Sequence, residues 1–139
     1  MGSNIRFTND SVKVARAIEE RLRSAMEEVG GELTSQTQTA SRVDTGQTKG
    51  SYTYKVNSSG KEVSATVGSD HINAIFEEFG TGEYAVKGDG RKDPWTYKGR
   101  DGKFHRTRGK TPNKPMEKAF LASRARIIKR IESILRGLT

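Results

Sequence analysis

Apolar residues recur every three or four positions along the first third of the chain. This spacing predicts an amphipathic helix over about residues 10–43, with an apolar stripe made of Val12, Ala15, Ile18, Leu22, Ala25, Val29 and Leu33. Gly30 and Gly31 weaken or end such a helix. The polar run at 34–41 has no strand alternation, so it fits either a continued helix or a loop.

Strict alternation of apolar and polar residues begins at residue 51 and predicts a β-hairpin. The run at 51–56 places Tyr52, Tyr54 and Val56 on one face of a strand. After the turn sequence at 57–60, a second alternating run has its apolar face at Val63, Ala65 and Val67.

The middle of the chain is less regular. Residues 72–79, INAIFEEF, are apolar enough for either a short helix or a strand that leads into Gly80-Thr81-Gly82. From 83 to 111 the chain is rich in glycine, lysine and arginine, and a loop of this length is usually functional or mobile. The run at 95–107 contains a possible second hairpin with Asp101-Gly102 at its tip.

The last segment returns to helical spacing. Pro115 suits the first position of a helix, and the apolar positions extend that helix to about residue 137. Its apolar residues are Met116, Phe120, Leu121, Ile127, Ile128, Ile131, Ile134, Leu135 and Leu138.

The order helix, strands, helix predicts one α+β domain over residues 1–139. Its parts are a long N-terminal helix at about 10–43, an antiparallel sheet with hairpins at about 51–107, and a C-terminal helix at about 115–137 packed on the sheet. A basic, flexible loop at 83–111 interrupts the sheet. Because only 32% of the residues are apolar, the core is expected to be thin, and assembly with other chains would supply part of the burial.

The net charge of +8 is confined to the second half of the chain. Residues 83–114 carry ten basic and four acidic residues, and residues 115–139 carry six basic and two acidic residues. A polyanion or an acidic protein surface is therefore a plausible neighbour for this half. The chain has no cysteine, which excludes disulfides and thiol catalysis. We expect no membrane segment, because no apolar run is long enough to span a bilayer.

Asp44-Thr45-Gly46 has the letters of the aspartic protease triplet. In those enzymes the triplet follows a buried apolar strand, whereas here it follows the largely polar Ser41-Arg42-Val43 and helices are predicted at both ends of the chain. We therefore interpret the triplet as a turn, with Asp44 as the hydrogen-bond acceptor and Gly46 as the flexible residue. A protease stays only as a third alternative.

Other enzyme chemistries lack support in the sequence. Gly109-Lys110-Thr111 resembles the end of a phosphate-binding loop, but Phe104 stands where that loop needs glycine, and the prolines that follow forbid an immediate helix. Glu77 and Glu78 would point to opposite faces of a strand, so they make a poor catalytic pair. We expect no enzymatic activity, no cofactor and no metal.

The basic segment carries the strongest remaining signal. It interleaves three aromatic residues with nine basic ones, a composition that suits contact with DNA or with an acidic partner and also an ordinary solvated loop. The basic residues are Lys87, Arg91, Lys92, Lys98, Arg100, Lys103, Arg106, Arg108 and Lys110.

Three stretches together resemble the tail-completion, or head–tail joining, proteins of the neck of long-tailed bacteriophages and prophages. The first is DTGQTKGSY, with Asp44, Thr45, Gly46 and Gly50; the second is FEEFGTGEY, with Glu78, Phe79, Gly80, Thr81 and Gly82; the third is KPMEKAF, with Pro115 and Phe120. They occur in the family's order and spacing and cover essentially the whole chain.

The resemblance implies a structural virion protein without enzymatic activity. Its copies would form a ring, commonly a hexamer, between the head connector or stopper protein and the tail tube or tail terminator protein. DNA would pass through the lumen, and the subunits would assemble in the bacterial host cytoplasm. The alternative is a free-standing nucleic-acid-binding protein that uses residues 87–110.

Overall fold

The computed structural model describes residues 10–43, 46–59 and 62–137 and confirms the α+β class. Two long helices enclose the rest of the chain in sequence, and two hairpins lie between them. The elements are α1 (Ser11–Ala40), α2 (Gln47–Gly50), β1 (Tyr52–Ser59), β2 (Glu62–Ser69), α3 (Ile72–Phe79), a 3-10 turn (Gly82–Tyr84), β3 (Trp95–Lys98), β4 (Phe104–Thr107) and α4 (Pro115–Arg136).

Helix α1 runs without interruption through the glycine pair and through the polar run that follows it. Threonine hydroxyls in this run donate to carbonyl oxygens one turn earlier: Thr34 to Gly30 at 2.7 Å and Thr37 to Leu33 at 2.7 Å. Since these bonds satisfy the hydroxyls within the helix, the polar sequence needs no partner elsewhere. Of the two alternatives left open for residues 34–41, the continued helix is the correct one.

The hairpin of β1 and β2 has the faces that the alternation predicts. Tyr54 pairs with Val67 and Val56 pairs with Ala65, so the apolar residues of both strands lie on the same side. This side contacts α1. The strands are longer than predicted, and the turn residues 60 and 61 lie outside the described residues.

Helix α4 packs against α1, and α1 in turn contacts the first hairpin, so α1 joins the C-terminal helix to the sheet. The two helices are antiparallel, because Arg126 pairs with Glu32 at 2.6 Å and Arg130 pairs with Glu28 at 3.1 Å. Small residues of α4 allow the close approach, since Ala119 and Ser123 are fully buried. Between exposed groups such ion pairs contribute little to stability and mainly fix the register.

The apolar stripe predicted for α4 is only partly buried. Ile127, Ile131 and Ile134 are half-buried against the rest of the molecule. Phe120, Leu121, Ile128 and Leu135 are exposed instead, because the small residues Ala119 and Ser123 occupy the contact with α1. Phe120, an apolar residue of the predicted helix, is thus not part of the buried core, and Leu138 lies outside the described residues.

The second hairpin is also present, but it forms a separate sheet. Strands β3 and β4 pair with each other and not with β1 or β2, so the single sheet predicted for 51–107 is in fact two. Their main contacts within the molecule are also with each other. The hairpin at 95–107, called the arm below, therefore forms a unit of its own, and Arg100 near its tip lines a cavity beside Glu77.

The core is small. Among the described residues, the buried apolar side chains are Ala25, Val29, Tyr52, Ala74 and Ala119. Three of these are alanines, which bury little apolar surface each. The protein therefore has little apolar burial of its own, as the composition suggests.

Gly30 marks the closest approach of α1 to the first hairpin. A Cβ atom at this position would lie 2.7 Å from Cγ of Tyr54, whereas a Cβ atom at Gly31 would lie 4.0 Å from the same ring. We expect Gly30→Ala to lower the free energy of unfolding by about 1–3 kcal/mol through overpacking. Gly31→Ala should raise it by up to about 1 kcal/mol, because alanine favours helix.

Urea unfolding of both variants measures this difference directly. Each variant changes one helical glycine to alanine, so the intrinsic helix preference cancels between them. Equal shifts in the unfolding midpoint would contradict the packing of Tyr54 against Gly30.

Candidate functional site

Helix α3 buries its acidic side chains and exposes its large apolar ones. Its two carboxylates face inward, with Glu77 3% and Glu78 7% exposed. Its large apolar side chains face outward: Ile72 is 66% exposed, Ile75 58%, Phe76 38% and Phe79 42%. The sequence left this segment open between a helix and a strand. As a helix it places the adjacent acids about 100° apart, so both fit on the inner face.

Glu77 is the centre of an ion-pair cluster. Its carboxylate accepts from Nε of Arg42 at 3.2 Å and pairs with Nζ of Lys110. Its backbone carbonyl accepts from the amides of Asn113 at 2.8 Å and Lys114 at 3.2 Å. One residue therefore binds the chain just after α1 and the chain just before α4.

The pKa of Glu77 is lowered overall. Burial raises it, but the hydrogen bonds and charges of Lys110 and Arg42 outweigh this effect. The carboxylate is thus kept ionised in the folded protein. Since the folded-state pKa lies below the unfolded one, the contribution of Glu77 to stability is complete above the ordinary glutamate pKa and is lost as the pH falls through the lower value.

Glu78 caps the C-terminal helix. Its carboxylate oxygens accept from the amides of Met116 at 2.9 Å and Glu117 at 3.1 Å, which are free donors in the first turn of α4. Lys114, the residue before the helix, makes no side-chain cap and has a positive φ of 54°. A negative charge at this end also favours the helix dipole. Glu78 therefore takes the place of a local N-capping residue.

Tyr52 lies beside the two carboxylates at the start of β1. It is 3% exposed, and burial, followed by the charges of Glu78 and Glu77, raises its pKa. The Ser41 hydroxyl, which is also buried there, acts in the opposite direction. The tyrosine therefore stays neutral and closes this side of the cluster.

A glycine turn holds the end of α3 against the segment that follows the arm. Gly80 and Gly82 have φ angles of 74° and 62°, a backbone conformation that glycine adopts most readily. The Thr81 amide donates to the Lys110 carbonyl at 2.9 Å, and the Lys110 amide donates to the Thr81 hydroxyl at 2.8 Å. A Cβ atom at Gly80 would lie 2.8 Å from that same carbonyl oxygen, so glycine is required.

The aspartate turn is described only in part, since Asp44 and Thr45 lie outside the described residues. Gly46 has φ 83°, in agreement with its predicted role as the flexible residue. The sequence did not predict helix α2, which separates this turn from β1 and ends at Gly50. The amide of Gly50 donates to the Gly46 carbonyl at 2.9 Å.

The nine basic residues of 87–110 do not form one surface. Two are engaged inside the protein, since Lys110 pairs with Glu77 and Arg108 pairs with Glu83 at 3.5 Å. Two cover aromatic rings at 5.3 and 5.6 Å: Lys87 over Phe79 and Arg91 over Trp95. The arm carries Lys98, Arg100, Lys103 and Arg106, and Lys92 is exposed before it. For Lys110 in particular, the structure shows an internal ion pair at a position predicted to contact DNA or a partner.

The loop predicted at 83–111 contains regular structure. The 3-10 turn, both strands of the arm and backbone bonds to the glycine turn lie within it. At the tip of the arm, Asp101 binds His105 at 3.0 Å, and this bond, followed by the amide of Lys103, lowers the pKa of Asp101. The mobility of the segment stays a prediction.

Cations also surround a cavity next to Glu77. This cavity has a volume of about 250 Å³ and is lined in part by Arg42, Lys49, Arg100 and Lys110. Four cations against one carboxylate give it a positive potential.

Sequence reasoning missed Glu77, Arg42 and Asn113 as organising residues. The one available signal was a pair of adjacent acids within an apolar run.

The chain was compared with protein-family models, curated proteins and solved structures, and none of them matches it. Over the described ranges, no group of histidine, aspartate and glutamate side chains is arranged to hold a metal ion. None of the described helices is both long and apolar enough to cross a bilayer. The arrangement at α3 therefore has to be interpreted from its own geometry.

We expect Glu77→Gln to reduce stability by about 2 kcal/mol at neutral pH, because two charged hydrogen bonds are weakened. The loss should shrink as the pH falls below 4.5, the ordinary glutamate value, because the unfolded chain then binds a proton at Glu77 before the folded protein does. Urea unfolding between pH 3 and 7 measures this dependence. Glu132→Gln is the control, because Glu132 makes only an exposed pair within α4. A pH dependence that stays the same in Glu77→Gln would contradict the role of the cluster.

We expect Gly80→Ala to be more damaging than Gly88→Ala. Both glycines have positive φ, 74° and 68°, so both variants carry a similar backbone strain of about 1–2 kcal/mol. Only Gly80 is also in close contact with a neighbouring backbone, whereas the space at Gly88 is open. Melting temperatures of the two variants measure the difference, and equal values would show that the close approach at Gly80 is wrong.

Proposed function

We propose that this chain is a structural subunit of the bacteriophage neck. Its copies form a ring, commonly a hexamer, that completes the tail and joins the head connector or stopper protein to the tail tube or tail terminator protein. In this role the protein is not an enzyme. It acts by presenting surfaces to its neighbours in the virion, while DNA passes through the lumen of the ring.

One observation carries the proposal: α3 turns its apolar side chains outward. Ile72, Ile75, Phe76 and Phe79 lie on a helix whose inner face is occupied by two acids. Contiguous exposed apolar surface of this kind is typical of protein–protein contacts. Because the core of the subunit is small, covering this surface would add apolar burial that the isolated chain lacks.

The convergence of the three family-like stretches supports the resemblance. Arg42, two residues before the aspartate turn, binds Glu77, and Glu78 of the second stretch caps the helix that the third stretch opens. Asn113 also donates to the Ala40 carbonyl at 2.7 Å. Stretches separated by about 30 residues in sequence therefore meet in one place, which gives the ordered motif a physical reason.

The subunit is expected to be mainly monomeric in dilute solution. A joining protein that formed rings before the tail was complete would block assembly, so the ring should form on the tail or at high concentration. The segregated positive charge then faces either DNA in the lumen or an acidic surface of the neck.

The test replaces one exposed apolar residue on α3. We expect Ile75→Ser to leave the melting temperature nearly unchanged, since Ile75 is 58% exposed, and to abolish incorporation into tails and the joining of heads to tails. The matched control is Leu121→Ser, because Leu121 is 62% exposed on α4. Electron microscopy of particles assembled with each variant provides the measurement.

Two outcomes would overturn the proposal. If Ile75→Ser supports joining as well as the unaltered protein does, the α3 surface is not an assembly contact. If the chain enters neither tails nor complete particles, it is not a neck protein.

DNA binding by the arm is the second candidate function. The observation in its favour is that Tyr97 and Phe104 are 49% and 74% exposed beside Lys98, Lys103 and Arg106. Neutralising Arg100, Lys103 and Arg106 together should then lower the salt dependence of DNA binding by about one unit for each lost phosphate contact. Loss of joining with unchanged DNA binding would instead identify the arm as a docking element.

A further inference from the structure

The arm ends in an apolar side chain that the subunit itself does not cover. Phe104, at the start of β4, is 74% exposed, the highest value among the exposed large apolar residues described. It pairs with Lys98 at the far end of the hairpin. Burying a phenylalanine side chain is worth about tenfold to a hundredfold in an association constant. An exposed phenylalanine near the tip of this hairpin is therefore well placed as an anchor for a partner.

The outer face of α3 offers a matching receptor. Ile75, Phe76, Phe79 and Ala85 line an open cavity of about 330 Å³, which we call the α3 groove, and Lys87 and Asp89 lie at its edge. Cavities of roughly 150 Å³ lined by apolar side chains bind benzene. The α3 groove is thus large enough for a phenyl ring.

The charges of the two elements are complementary. The arm at 95–107 carries four basic residues and one acidic residue, whereas residues 70–89 carry five acidic residues and one basic residue. Of those five acids, Asp70 and Asp89 are exposed around α3, whereas Glu83 pairs with Arg108 of its own subunit. The arm would therefore be attracted to the α3 groove and would be repelled by another arm.

An arm does not fill the groove of its own subunit. The Glu83 amide donates to the Arg108 carbonyl at 3.1 Å, so the base of the arm is fixed beside its own groove. Phe104 lies four residues from Arg108, about 13 Å away at the rise of an extended chain. A groove of this kind is within reach of Phe104 on a second copy of the chain.

We propose that Phe104 of one copy inserts into the α3 groove of the next copy, with a cation of the arm against Asp89 at the edge of that groove. The contact joins two different surfaces, so it is heterologous and leaves one arm and one groove free at the ends of any pair. Repetition closes a ring when the rotation permits. This inference rests on the proposed ring and identifies the contact that holds it together.

Disulfide trapping tests the contact, because the natural chain has no cysteine. Phe104→Cys and Ile75→Cys are made in separate proteins, mixed at high concentration and oxidised. We expect a covalent dimer from the mixture and a ladder of linked species from the double variant. The control mixture of Phe104→Cys with Leu121→Cys should give no link. Linking of Phe104→Cys to itself, with none to Ile75→Cys, would overturn the inference.

A charge exchange provides a second measurement in the unlinked protein. We expect Asp89→Lys to raise the concentration at which rings form about tenfold, as the loss of one close charge pair would. Lys103→Asp in the same chain should restore association. Light scattering over a range of concentrations gives both values, and a double variant that associates no better than Asp89→Lys alone would contradict the pairing.

The outcomes separate this inference from the proposed function. Rings on purified tails without a link between positions 104 and 75 would overturn the arm contact and leave the neck assignment standing. The absence of rings both in solution and on tails would overturn both. The variant Phe104→Ser gives a third outcome. If it weakens DNA binding and leaves ring formation unchanged, the arm binds DNA and the contact between Phe104 and the α3 groove is wrong.

Discussion

The structure depends on two adjacent buried carboxylates, Glu77 and Glu78. Glu77 is held ionised by Lys110 and Arg42, and Glu78 is held by the first amides of α4. A buried carboxylate without partners would cost several kcal/mol, so the segments that supply these partners must stay in place. The pair thereby fixes the end of α1, the base of the arm and the start of α4 relative to one another.

The same pair determines the character of the surface. Because the inner face of α3 is used for acids and for Ala74, the isoleucine and phenylalanine side chains of the helix have to face outward. An isolated protein gains nothing from this arrangement, since exposed apolar area is a liability in solution. In the ring that we propose, a neighbouring copy would cover this face, and the opposite charges of Asp89 and the arm would orient the contact.

The regular parts of the fold could be predicted from the sequence because their periods are unambiguous. The alternation of apolar and polar residues correctly predicts that Tyr54 and Val67 lie on the same face of the hairpin, and the helical spacing correctly predicts α1 and α4. The outward face of α4 could not be predicted, because Ala119 and Ser123, rather than Phe120, take the contact with α1. The roles of Glu77 and Glu78 were also missed, since their partners lie more than 30 positions away. Local pattern carries no information about such long-range pairs.

Hydroxyl-radical footprinting of side chains, on the dilute subunit and on purified necks, tests the central claim most directly. The account predicts that Ile75, Phe76 and Phe79 react in the free subunit and become protected in the neck, while Leu121 on α4 reacts similarly in both. Equal labelling of the α3 residues in the two states would show that the outward apolar face is not an assembly surface and would contradict the account.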